Sequence, residues 1–208
     1  KYPVDGLFFN MFGNQSRDYS GNEVGLCHCA VCRRKYAEMF HKEIPDKPDD
    51  DYRKFMFISS RGVAALFGDL IHKKRPEAGY FNYVQESTDG IMSESNTAVA
   101  RPLPLWPYSA SDNVNRALNS EPGKMPVNLG RQFGDYWWRF ATVPRDEIAL
   151  RLWENVANGG ALAFEVNGTL DQQDWQAVET AKPIFRWLAE NEQYYSKQQS
   201  AARVLLLT

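Results

Sequence analysis

The stretch that decides the fold is Pro144-Arg145-Asp146-Glu147-Ile148-Ala149-Leu150-Arg151-Leu152-Trp153-Glu154-Asn155-Val156-Ala157-Asn158-Gly159-Gly160-Ala161-Leu162-Ala163-Phe164-Glu165-Val166. Ile148, Leu152 and Val156 recur every four residues, so residues 145–157 read as a helix with one apolar stripe. Pro144 suits a helix's first turn, and Asn158-Gly159-Gly160 stops it. The apolar run Ala161-Leu162-Ala163-Phe164 that follows, leading to Glu165-Val166, reads as a strand. A helix feeding such a strand is the βα unit of a parallel sheet.

The same alternation extends in both directions. Residues 4–10, 80–84, 90–93 and 126–129 read as further strands. Residues 31–41 read as a helix, as do 52–74, where Phe55, Ile58, Leu66 and Leu70 are among the apolar positions and Pro76 marks the end. The carboxylates of Asp46-Lys47-Pro48-Asp49-Asp50-Asp51 suit the start of that second helix. A last helix carries Ala177, Ile184, Trp187 and Leu188, with Thr169 or Asp171 as its expected cap and Pro183 as an expected kink. The fold class expected is therefore α/β with parallel (β/α) units, in a barrel or a doubly wound sheet. One link resists this scheme: 84–90 is too short for a parallel crossover, which needs about a dozen residues.

Composition narrows the function classes. The 208 residues hold 24 Lys+Arg and 26 Asp+Glu, a net charge of −2, so no basic surface for nucleic acid or anionic lipid is expected. With 43% hydrophobic and 13% aromatic residues the chain is too apolar for disorder. No apolar run reaches the roughly 18 residues of a membrane span. The apolar runs at the two ends, Val4-Asp5-Gly6-Leu7-Phe8-Phe9 and Val204-Leu205-Leu206-Leu207, read as strands cut from a longer protein.

Two constellations can carry chemistry. Cys27-His28-Cys29-Ala30-Val31-Cys32 is a C-x-C-x-x-C that gathers every cysteine of the chain at a loop-to-helix junction. Such spacing fits thiolate ligation of a metal, with Zn²⁺ the natural occupant; a fourth ligand would be His28, His41, His72 or a cysteine preceding Lys1. The alternative is three free, buried thiols. In Asp89-Gly90-Ile91-Met92-Ser93-Glu94-Ser95-Asn96 a short strand ends beside an acid set among hydroxyls and an amide. Glu94 is thus the leading candidate for a general acid, base or nucleophile, with a solvated loop carboxylate as the alternative.

Residues 103–113 read as a proline-stiffened loop. Trp106 and Tyr108 would stack on sugar faces there, and Ser109 and Asn113 would bind hydroxyls; an Ω-loop packed down by its own aromatics is the equal alternative. Strand ends add Asn10, Asn128, Arg131 and Glu165, and Asp135 follows. No G-x-S-x-G elbow, phosphate loop or G-x-G-x-x-G occurs.

The runs Asp5-Gly6-Leu7-Phe8-Phe9-Asn10-Met11-Phe12-Gly13 and Cys27-x-Cys29-x-x-Cys32 resemble the middle of bacterial hypothetical glycosyl-hydrolase-like proteins, relatives of the family 42 β-galactosidases. Ser93-Glu94-Ser95-Asn96, Trp106-Pro107-Tyr108 and Gly168-Thr169-Leu170-Asp171-Gln172-Gln173 fit the same group. The resemblance implies a (β/α)8 TIM barrel, of which residues 1–200 would be about strands four to eight. Residues 201–208 would open a following trimerisation domain. It further implies structural zinc on Cys27, Cys29 and Cys32, with the fourth cysteine earlier in the barrel, and a carbohydrate substrate.

Where the family carries an Asn-Glu acid/base pair this chain has Asn10-Met11, and a methionine transfers no proton. Glycoside hydrolysis then falls to Glu94, with Asp135, Glu165 or, equally, a carboxylate from the earlier half of the barrel as its partner, and Asn10, Asn96, Trp106, Tyr108, Asn113, Asn128 and Arg131 as substrate contacts. The rival expectations are a carbohydrate-binding barrel without catalysis and an assembly scaffold. A homo-oligomer is expected, because an incomplete barrel exposes strand edges. Clustered thiolates favour a reducing, cytoplasmic setting.

Overall fold

The structure is a computed structural model that describes residues 3–10, 16, 18, 20, 22–95, 106–134, 138–169, 171–196, 198 and 201. It divides into two compact units, Lys1–Gly90 and Ile91–Thr208. Both follow the α/β plan with parallel strands, in two small sheets. A closed barrel is a finer statement than these two sheets carry.

In the first unit, strand β1 (Gly6–Phe9) lies parallel to β2 (Gly79–Asn82), with Gly6 opposite Gly79 and Phe9 opposite Asn82. Between them come helices α1 (Ala30–Phe40) and α2 (Asp50–Lys74). Helix α2 starts two residues before the sequence suggests, because Asp49 caps it: its Oδ1 accepts the Tyr52 N–H at 2.7 Å. Asp50 and Asp51 occupy the first turn and His72, Lys73 and Lys74 the last, each sign complementing the helix dipole.

The buried face of α2 takes up only part of its apolar set. Phe55 is buried, but Ile58, Leu66 and Leu70 are exposed, and Tyr52, Ala64, Gly68 and Ile71 take the inner positions instead. The stripe shifts along the helix because its two halves pack on different partners. The N-terminal half joins Tyr36 and Ile44 around Tyr52 and Phe55; the C-terminal half sets Ile71 against Ala78 and Tyr80.

The second unit contains β3 (Gly90–Ser95), helix α3 (Ser109–Ser120), β4 (Met125–Arg131), α4 (Arg145–Ala157), β5 (Ala161–Glu165) and α5 (Gln176–Glu190). Its sheet runs β3-β4-β5, and β4 pairs in parallel with β5 from Val127–Ala161 to Arg131–Glu165. Strands β2 and β3 therefore belong to different sheets, and the short link 84–90 has no crossover to make. Helices α4 and α5 bury Ile148, Leu152, Val156, Ala177, Ala181, Ile184 and Leu188 together, with Leu162 and Phe164 of β5 against them. Burial of each large side chain there stabilises the fold by about 1.5–3 kcal/mol.

Two local expectations are revised. Residues 109–113, expected in a loop, form the start of α3, whose inner face is built of small residues: Ala110, Val114 and Ala117. Residues 103–105 lie outside the described residues. Helix α5 is capped by neither Thr169 nor Asp171, which bond to one another; the Gln176 N–H is taken by Asp174 Oδ1 at 3.1 Å. The helix runs through Pro183 to Glu190. No helix among the described residues is long and apolar enough to cross a membrane.

Candidate functional site

Three strands of the second unit deliver charged side chains to one place. Glu94 is the penultimate residue of β3, Arg131 ends β4, and Glu165 ends β5 directly opposite Arg131 in the register. The Arg131 Nη1 lies 3.1 Å from Glu94 Oε2, and its Nε lies 3.7 Å from Glu165 Oε2. The arginine side chain is 5% exposed, against 26% for Glu94 and 32% for Glu165. A buried cation thus forms the floor and two carboxylates reach toward solvent. Phe133 completes that floor, its ring centroid 4.2 Å beneath the guanidinium carbon.

The two carboxylates sit in different surroundings. Burial pushes the Glu165 carboxyl above the usual carboxylate range; Arg131 opposes this and the nearby charge of Glu94 adds to it. Glu94 has the direct ion pair to Nη1. A carboxyl raised by burial beside a second carboxylate is an arrangement that general acid–base chemistry uses.

Behind the charges lies an amide network. Asn128, 1% exposed, donates its Nδ2 to Ser95 Oγ at 3.0 Å. Its Oδ1 accepts from Ser93 Oγ at 3.3 Å and from Asn113 Nδ2 at 3.0 Å. Asn113 also donates to the Glu94 carbonyl at 2.8 Å, fixing the backbone that carries the acid. Asn155 of α4 donates to the carbonyls of Asn128 and Ala161, at 3.2 and 3.1 Å. Gly160 permits this close approach: a Cβ there would stand 2.0 Å from Asn155 Oδ1 and 2.6 Å from a Val114 methyl. Asn113 and Asn128, expected to face substrate, thus spend their side-chain amides on the strands themselves.

The other expected contacts are spread more widely. Tyr108 is exposed at the end of the 3₁₀ turn Trp106–Tyr108; the Trp106 side chain, Asn96 and Asp135 lie outside the described residues. Asn10 is exposed just past the end of β1, in the first unit. The sequence reading missed Gln132, which is fully buried beside Arg131, and Phe133.

The second site is the cysteine triad of the first unit. The Sγ atoms of Cys27, Cys29 and Cys32 lie within 4.8 Å of one another, close enough to share a metal ion. Cys29 caps α1, its Sγ accepting the Cys32 N–H at 3.5 Å. The Cys27 N–H donates to the Tyr52 hydroxyl at 3.3 Å, which ties the loop to α2. Hydrogen bonds from the Cys32 backbone first, then from the Cys32 and Cys27 side chains, hold the exposed Cys29 thiol down to about 7. The donor set therefore suits a thiolate-loving metal.

Among the described residues no histidine or carboxylate joins the three sulfurs. His41 is the left-handed C-cap of α1, and His72 Nε2 pairs with Asp89 Oδ2 at 2.9 Å. No protein-family model and no curated protein matches this chain.

Proposed function

We propose that the chain is a glycoside hydrolase of the (β/α) barrel type, contributing the later strands of the barrel and acting through Glu165 and Glu94. The observation that supports this is the meeting of Glu94, Arg131 and Glu165 at the ends of three successive strands. Carboxylate pairs at strand ends are the usual equipment for glycosidic cleavage. Glu165, whose carboxyl burial keeps protonated to higher pH, would protonate the leaving oxygen. Glu94 would be the carboxylate that attacks or activates water. Arg131 holds both carboxylates at one place through its Nη1 and Nε. Tyr108 supplies an exposed aromatic face in the same unit.

The experiment is turnover of an aryl-glycoside panel by the full-length protein and its Glu165→Gln and Glu94→Gln variants. A loss of about 10²–10⁴-fold in kcat is expected for each. Unchanged turnover in either variant removes that residue from the mechanism.

A second reading, carbohydrate binding without turnover, has its own motive in Asn10-Met11. It requires sugar binding by calorimetry with no cleavage of any glycoside in the panel.

For the cysteine triad we propose structural Zn²⁺, with a fourth ligand from outside the described residues. Bound there, the ion would fasten the loop before α1 to that helix. Metal analysis of protein purified without chelator, giving one zinc per chain, is the expected result.

A further inference from the structure

We propose that Gln132 is the positioning residue for the Glu165 carboxyl group. The inference rests on the reading of Glu165 as the acid, and it begins from hydrogen bonds that surround one buried side chain. Gln132 is fully buried immediately after Arg131, and each of its polar groups is engaged. Its backbone N–H donates to the Glu165 carbonyl at 3.0 Å, and its carbonyl accepts the Val143 N–H at 2.8 Å. Its side-chain Oε1 accepts the Asn167 N–H at 3.0 Å, and its Nε2 donates to Thr142 Oγ1 at 3.2 Å.

One residue therefore grips the chain on both sides of the acid, at the carbonyl of 165 and the amide of 167. It does so where the strand ends and its ladder hydrogen bonds cease. The grip is anchored in turn: the Thr142 N–H donates to Asp174 Oδ2 at 3.2 Å, and Asp174 Oδ1 accepts the Gln176 N–H at the start of α5. Arg131, the preceding residue, reaches the Glu165 carboxylate itself. Arg131 and Gln132 thus divide the task, one holding the charge and the other the backbone that aims it. A misplacement of about 1 Å at such a group is enough to cost about 10²-fold in rate.

The test uses the full-length protein with Gln132→Met, which keeps an unbranched side chain of similar length and removes both side-chain hydrogen bonds. Thr142→Val, the second variant, removes only the partner of Nε2. The readout is the titration of the Glu165 carboxyl carbon by ¹³C NMR, assigned by its disappearance in Glu165→Gln, alongside the thermal midpoint.

Arg131 is seated on the Phe133 ring, and the two Gln132 side-chain hydrogen bonds run to Thr142 and Asn167. Release of the clamp therefore admits water to Glu165 without removing its cation. The expected result is a fall of the Glu165 midpoint toward the ordinary glutamate value, by about half a unit or more in Gln132→Met and by less in Thr142→Val. Where turnover is measurable, kcat falls about tenfold with KM within about twofold. A lower thermal midpoint with an unmoved Glu165 titration in both variants would overturn the proposal, reducing Gln132 to a packing residue. Failure of the catalytic reading is seen separately, as full turnover in Glu165→Gln.

Discussion

Arg131 and Glu165 end adjacent parallel strands as register partners, and the guanidinium Nε stands 3.7 Å from the Glu165 carboxylate while Nη1 reaches Glu94 at 3.1 Å. Parallel pairing makes this possible: neighbouring strands finish at one edge, so residues more than thirty positions apart converge there. The arginine is the most buried of the three, so its removal is felt by both acids.

Arg131→Met leaves Glu94 and Glu165 facing one another without their cation. Loss of one partner of a fully buried pair costs about 3–5 kcal/mol. Both carboxylates here are a quarter to a third exposed, so a loss of about 1–3 kcal/mol at pH 7 is expected. Urea unfolding measures it. The difference from the parent protein shrinks toward acid pH, as the raised Glu165 carboxyl takes up its proton and no longer needs the cation.

The raised Glu165 carboxyl makes a signed prediction for stability against pH. Between the ordinary glutamate value and the raised native value, the folded state holds more protons than the unfolded state, so this group's contribution falls as pH rises through that window. In Glu165→Gln that component is absent. Thermal midpoints followed upward from pH 4 should therefore decline less for the variant than for the parent.

Cys29 is the exposed thiol of the triad and is held down to about 7. In metal-free protein, iodoacetamide should modify it at a rate that climbs as pH rises through about 7 and then levels, since the thiolate is the nucleophile. Peptide mass spectrometry identifies the site. Added Zn²⁺ should suppress the reaction, and Cys32→Ser should weaken that protection.

Gly160→Ala places a methyl group against Asn155 Oδ1 and Val114, neither of which is free to retreat: Asn155 is bonded to the carbonyls of Asn128 and Ala161. Overpacking at this junction of α3, α4 and β5 should cost about 1–3 kcal/mol. Chemical denaturation reads this directly. Gly62→Ala in α2, where the space is open, should not destabilise the protein.

Much of the fold was legible because its signals are local. The α4 stripe and its Gly-Gly stop gave the helix boundaries to the residue, and β5 follows as expected. Residues 109–113 of α3 do not stand out as helical, because its buried face is Ser109, Ala110, Val114 and Ala117, too small or polar to show in hydropathy. On α2 the apolar positions do not mark a single inner face, because a long helix that changes partners midway also changes its buried face. The candidate acids were legible singly, as residues at strand ends. Gln132 was not, because nothing in a lone glutamine announces that four hydrogen bonds will meet on it.

The sequence by itself determined the α/β class, the parallel order implied by strand–helix alternation, and the grouping of three thiols within six positions. All three follow from spacing along the chain, which local geometry reads directly. Only the tertiary structure decided that Glu94, Arg131 and Glu165 share one site and that Asn113 and Asn128 turn inward to hold the strands. It likewise decided that the link 84–90 joins two sheets. Those outcomes depend on register and on which neighbour fills each buried position, quantities set by packing between segments distant in sequence.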